Sequence, residues 1–116
     1  MDNVSTLIYQ FFTTQTAFTS VVGTRIYPLV AREETPYPFV IYTIGNPEPL
    51  TKEATSYPVS VNLYFEKSSY TECVSFQNTV KNLIDNGVNW NLVDSAVDFI
   101  EDNQSIVATV NFEIIN

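Results

Sequence analysis

Two segments of this chain alternate apolar and polar residues with a period of two, a pattern that an amphipathic helix cannot use. In the first, Val59, Val61, Leu63 and Phe65 alternate with Ser60, Asn62, Tyr64 and Glu66. In the second, Ile106, Ala108, Val110, Phe112 and Ile114 alternate with Val107, Thr109, Asn111, Glu113 and Ile115. Each predicts a strand with one face on a core. The second carries Val107 and Ile115 on its other row, so that side is expected to be only partly exposed and to offer an apolar contact to a partner.

A third strand is expected inside Thr35–Ile44, Thr-Pro-Tyr-Pro-Phe-Val-Ile-Tyr-Thr-Ile. Pro36 and Pro38 hold the backbone extended, because each fixes its own φ and pushes its predecessor out of the helical region. Phe39 to Ile44 then lacks polar relief on either face, which reads as a buried central strand. Arg25 to Val30 reads as a further strand, with Pro28 placing it at an edge or a bulge. Val97 to Glu101 reads as one more, turning at Asp102-Asn103 into the last.

The helical signals are as plain. Val4, Leu7, Ile8, Phe11 and Phe12 follow the i, i+3, i+4, i+7, i+8 spacing, with Asp2 or Asn3 available to cap the first turn. Ala17, Phe18, Val21 and Val22 make a short second helical piece that Gly23 can end. Ser69-Tyr70-Thr71-Glu72 has the capping-box pattern, and Cys73, Phe76, Val80, Leu83 and Ile84 keep to one side until Asn86-Gly87 supplies a stop. Between Gly45 and Tyr57 the composition turns polar, and this stretch is expected to be a long loop. Loops of that length in a compact domain are often functional. Together the elements predict a single α+β domain over residues 1–116, an antiparallel or mixed sheet of about five strands with two main helices packed on one face.

Composition limits function. The chain has 116 residues, 45% hydrophobic and 14% aromatic, enough for one core. No apolar run approaches the ~20 residues of a membrane span. The N-terminus lacks the basic start of a signal peptide, so a cytoplasmic site of synthesis is expected. Asn3-Val4-Ser5 and Asn103-Gln104-Ser105 match the glycosylation sequon, which has no meaning without secretion. Thirteen acidic and five basic residues give a formal charge of −8, which disfavours tight nucleic-acid binding. The absence of histidine removes the Ser-His and Cys-His nucleophile pairs and the usual zinc sets. The lone Cys73 reads as a buried thiol on a helix.

Three glycines that lie far apart make no phosphate loop. Asp94, Asp98, Glu101 and Asp102 are the remaining candidates for carboxylate chemistry or a hard cation, but they lack the spacing and central Gly of a Ca²⁺ loop and read as a solvated acidic edge. Tyr37, Tyr57 and Tyr64 suit half-buried sheet surfaces and protein interfaces better than ligand stacking.

In their order these pieces resemble the tail completion family of tailed bacteriophages and prophages, the tail-to-head joining or tail terminator proteins. The motifs are an opening helix, a short apolar turn ending at Gly23, Arg25-Ile26-Tyr27-Pro28, and Pro36-Tyr37-Pro38-Phe39-Val40. A variable loop, the alternating strand Val59–Glu66, the helix from Ser69 to Ile84 and the closing strands follow. From Gly87 onward the match is one of pattern alone, and the helix is less alanine-rich than the family's. The resemblance implies a non-enzymatic virion protein without cofactors or a membrane partner. Such proteins form a ring, usually of six subunits, on the head-proximal end of the tail tube. The ring stops tube growth and offers a surface to the head-completion or neck protein. Assembly would take place in the host cytoplasm, and genomic DNA would pass through without tight binding.

On that reading Pro47, Glu48, Pro49, Leu50, Lys52 and Glu53 in the loop, with Val107 and Ile115 on the last strand, are candidates for the contact with a neighbouring subunit or the tube. Asp94, Asp98, Glu101 and Asp102 are candidates for an acidic lumen. Alternatives are another neck or minor tail component of related fold, or a host module that binds a ligand or protein through its tyrosines and acidic residues. A carboxylate-dependent enzyme is a fourth.

Overall fold

A computed structural model describes residues 2–23, 25–28, 37–52, 54–85, 90–100 and 105–115. Its frame is a ladder between two long antiparallel strands. Strand β4 is Thr55–Glu66 and strand β6 is Ser105–Ile115, paired in unbroken register from Ser56↔Ile115 to Glu66↔Ser105. These contain the two alternating segments of the sequence, and the alternation sets the fold's two sides. Val59, Val61, Leu63 and Phe65 from β4, with Ile106, Ala108, Val110, Phe112 and Ile114 from β6, turn to one face and are buried.

Around this pair the sheet is completed by β1 (Ile26–Pro28), β2 (Phe39–Ile44), β3 (Glu48–Pro49) and β5 (Trp90–Ile100). The path is β1-β2-β4-β6-β5, with β3 pairing β4 off that path. Only β1 and β2 run parallel, so the sheet is mixed. Pro28 lies on the edge strand β1, where its missing N–H costs no ladder bond.

Three helices, α1 (Asp2–Thr13), α2 (Thr16–Val22) and α3 (Tyr70–Asp85), cover the apolar face. Their stripes Val4, Ile8 and Phe12, then Phe18 and Val22, then Cys73, Phe76, Val80 and Ile84 enter one core with the strand residues. Trp90 stacks on Phe112 at 5.1 Å between ring centroids and meets Phe11 at 4.4 Å, which ties β5 to α1. Gln77 on α3 is buried, and its amide donates to the carbonyls of Ala96 at 2.9 Å and Thr109 at 3.3 Å, pinning the helix across β5 and β6. The α+β class, the one-sided helix layer, the two main helices and the short helical piece ending at Gly23 agree with the expectation.

Four local expectations are corrected. The stretch Gly45–Tyr57 is an arm rather than a loop. β2 stops at Ile44, the Gly45 N–H still donates to the Pro58 carbonyl, and β3 resumes pairing with Thr55 and Ser56. β4 therefore starts at Thr55 rather than Val59 and runs through Pro58, whose missing N–H falls opposite Gly45, just past the end of β2. β2 is internal as expected, yet only one of its faces is buried: Val40 and Tyr42 point to the core, while Phe39, Ile41 and Thr43 lie on the uncovered face. β5 begins at Trp90, well before Val97, because a bulge between Leu92 and Asp94 breaks the period that would have revealed it. Leu29, Val30, Pro36, Asn86, Gly87, Glu101, Asp102 and Asn103, on which other expectations fell, lie outside the described residues.

Candidate functional site

With every described helix on one side, the opposite face of the sheet has no covering layer among the described residues. Strand parity places Phe39, Ile41 and Thr43 there from β2, then Ser60, Asn62 and Tyr64 from β4. Val107, Thr109, Asn111, Glu113 and Ile115 come from β6, and Asp94, Ala96 and Asp98 from β5. Its centre is a set of cross-strand polar bonds. The Ser60 hydroxyl donates to Asn111 Oδ1 at 2.6 Å, and Asn111 Nδ2 donates to Asp94 Oδ1 at 2.6 Å. The Thr109 hydroxyl donates to Asn62 Oδ1 at 2.9 Å, and the Ser56 hydroxyl to Glu113 Oε2 at 2.7 Å. These bonds fix the side chains without a covering layer, so the face is ordered and hydrophilic through its middle.

The two ends of that face differ. At one end Phe39 and Tyr64, directly opposed in the register, stack at 4.9 Å with planes 9° apart, and Tyr37 adds to Phe39 at 5.3 Å. Burial, and secondarily repulsion from Tyr37, pushes the Tyr64 hydroxyl above its ordinary value, so it is a neutral donor at neutral pH. Val107 is opposite Tyr64 and belongs to this aromatic end. At the other end Ile115 is opposite Ser56, at the root of the arm.

The arm is built by β3 and the start of β4. Its turn is closed by the Leu50 and Thr51 N–H groups donating to the Ala54 carbonyl and by the Ala54 N–H donating to Thr51 Oγ1 at 3.0 Å. Pro47, Glu48, Pro49, Leu50 and Lys52 are all exposed, and Leu50 at 52% stands out as a large apolar side chain given to solvent. The structure thus unites Ile115 with the arm residues and separates Val107 from them by the length of β6, roughly 27 Å at about 3.4 Å per residue. Glu53 lies outside the described residues.

Of the four acidic candidates, Asp94 and Asp98 are exposed on the uncovered side of β5, and Asp98 accepts the N–H of Phe99 at 2.8 Å. Glu101 and Asp102 lie outside the described residues. Glu113, which the sequence reading did not single out, joins Asp94 and Asp98 on this face. None of the described residues on the face is Lys or Arg. Among the described residues no group of three or more His, Cys, Asp or Glu side chains is placed to hold a metal ion. None of the described helices is long and apolar enough to cross a membrane.

A second feature escaped the sequence reading. Past the reach of α3, the helix-side face of β5 is bare, and Val97 and Phe99 are exposed beside Ile106, Tyr70 and Lys67 in a groove rimmed by Asp98. Alternation alone marks Val97 and Phe99 as core; only the position of β5 at the sheet edge exposes them.

No family model matches the chain, and a sequence search of curated proteins finds no match either. Among solved structures, the fold is similar to that of a chain from the virion of a native gene transfer agent (GTA) particle. That similarity has a TM-score of 0.71 at 12% identity, over 91% of this chain and 88% of the other. At that identity the likeness defines a shared fold, and function rests on the surfaces described above.

Proposed function

We propose that this protein is a structural component of a phage or phage-like virion that acts as a tail terminator. In this reading it forms a ring, of six subunits, on the head-proximal end of the tail tube, ends tube growth and presents a joining surface to the neck. The observation that carries the reading is the fold shared with a chain of a gene transfer agent virion over nearly the whole length of both. The ordered motifs of the sequence point to the same class.

The surfaces support a role in assembly. A ring needs unlike faces that meet between neighbours, and the arm with its exposed Leu50 and the aromatic end of the uncovered sheet face offer two such surfaces. The arm residues Pro47, Glu48, Pro49, Leu50, Lys52 and Glu53, with Ile115 at its root, are assigned to the contact with a neighbouring subunit or the tube. Val107 with the Phe39–Tyr64 pair forms a second contact. Asp94, Asp98 and Glu113 face the lumen, with Glu101 and Asp102 following Asp98 in the chain. The role requires no cofactor and no catalytic group.

The test is electron microscopy of tails assembled with and without the protein. Tails of uniform length in its presence and of unregulated length in its absence are expected. Uniform tails in both cases, with heads that fail to attach, would instead assign the protein to the neck.

A further inference from the structure

We infer that the arm tip of one copy seats in the groove at the far end of β5 of a second copy, with Leu50 on Val97, Phe99 and Ile106, and Lys52 facing Asp98. The inference rests on the ring reading above and names the surfaces through which the subunits meet.

Four observations carry it. First, each surface exposes large apolar side chains: Leu50 at 52% on the tip, Val97 at 38% and Phe99 at 45% side by side in the groove. Second, the tip is held out rigidly. Its turn is bonded by backbone and by Thr51 Oγ1, so seating it immobilises little new chain. Third, Lys52 on the tip and Asp98 on the rim are exposed groups of opposite charge.

Fourth, a chain cannot satisfy itself. The arm roots at Ser56↔Ile115, while the groove lies at Phe99↔Ile106, at the other end of β6 and roughly 30 Å away at about 3.4 Å per residue. The molecule is 47 Å long and 26 Å across, so the two surfaces occupy opposite ends of an elongated body. A knob at one end and its socket at the other make a heterologous, head-to-tail contact, which closes into a ring when the rotation per subunit divides a full turn.

A symmetric alternative, β5 pairing with β5 of a second copy, is disfavoured on the same strand. Antiparallel pairing centred on Ala96 sets Asp94 of each copy opposite Asp98 of the other, and like charges directly opposed across a ladder destabilise it. The bulge at Val93 further interrupts that edge.

The experiment is disulfide trapping of the purified full chain. Leu50→Cys with Val97→Cys in the same chain should give a ladder of linked multimers under mild diamide oxidation. Leu50→Cys with Asn78→Cys, on the exposed side of α3, should give none. Cys73 is fully buried and does not take part. In parallel, Lys52→Asp or Asp98→Lys alone should weaken self-association by about two- to fivefold, the range of an exposed ion pair, and the two together should restore it. Assemblies by sedimentation without a 50–97 ladder would overturn the seating while leaving the ring intact. A monomer at every concentration, with normal tail-length control, would overturn it as well. Loss of length control itself is scored separately, by the microscopy above.

Discussion

At the scale of single residues, two positions have consequences that their side chains do not advertise. Gly23 closes α2 with φ +60° and donates its N–H to the Thr19 carbonyl at 2.8 Å. A Cβ there would meet only Arg25 Nη1 at 3.8 Å, so space is not the constraint; the backbone angle is. Gly23→Ala is therefore expected to destabilise the fold by about 1–2 kcal/mol, measured as a lower urea midpoint with an unchanged slope. Cys73 shows the opposite case. Burial pushes its thiol from 9.0 up to about 11, since the thiolate would have to form inside the core of α3. Below pH 9 the thiol is neutral in both folded and unfolded chains and the stability is complete. Between pH 9 and 11 the unfolded chain releases the proton and the folded one keeps it, so stability falls as pH rises, by up to about 2–3 kcal/mol from this group. The difference between variants is the useful quantity, because it isolates this thiol from every other group. Cys73→Val should lose less stability between pH 8 and pH 10.5 than the parent, by urea unfolding at both; equal losses would show that this thiol does not set the alkaline sensitivity.

At the scale of elements, what the sequence revealed depended on whether a pattern was local. The stripes of α1 and α3 and the alternation of β6 can be read directly, because each repeats often enough within one element to stand against chance. The arm could not, since β3 is two residues long and exists only because β4 offers it a ladder. Pro58 and the polar Thr55 and Ser56 hid the first part of β4 in the same way. β5 was concealed by its bulge: Trp90 and Leu92 lie on the helix side, as do Ser95, Val97 and Phe99, and the extra residue Val93 shifts the parity between them. The proposed contact surfaces were legible in part. Leu50 and its neighbours were visible as an unusual polar stretch, whereas the groove depends on where α3 ends over the sheet. The bulge gives a sharp test. Removing Val93 makes Trp90 to Ile100 alternate without interruption, so the deletion is expected to fold, with stability within about 1 kcal/mol of the parent. It also leaves an even edge strand, and self-association through that edge should rise in sedimentation. Deleting residues 47–54 tests the arm. Because the arm adds nothing to the core cluster, the shortened chain should remain folded by circular dichroism while failing to form rings or cap tubes.

At the scale of the whole molecule, the distribution of charge matters more than its total. The formal charge is −8, and on the uncovered sheet face Asp94, Asp98 and Glu113 are joined by no Lys or Arg among the described residues of that face, although Asp98 also shares the edge groove with Lys67. If six such faces line a channel, the wall repels phosphate along its length, and DNA under pressure can run through without being held. Charge reversal at Asp94 and Glu113, which lie outside the proposed subunit contact, separates this arrangement from an acidic surface of no consequence. Asp94→Lys and Glu113→Lys together change the face by four charge units per subunit, from two carboxylates to two ammonium groups. Since Asp94 and Glu113 accept hydrogen bonds from Asn111 and Ser56, the variant should lose about 1–3 kcal/mol of stability and still fold. The parent ring is expected to show no retention of duplex DNA at 50 mM salt. The variant ring should bind it, with an affinity that falls steeply as salt rises, because each neutralised phosphate releases its counterions. In tails joined to filled heads the same variant should slow DNA release while leaving tail length unchanged. Equal DNA release by parent and variant would mean that this face does not line the passage, and would turn it outward, toward the tube or the neck.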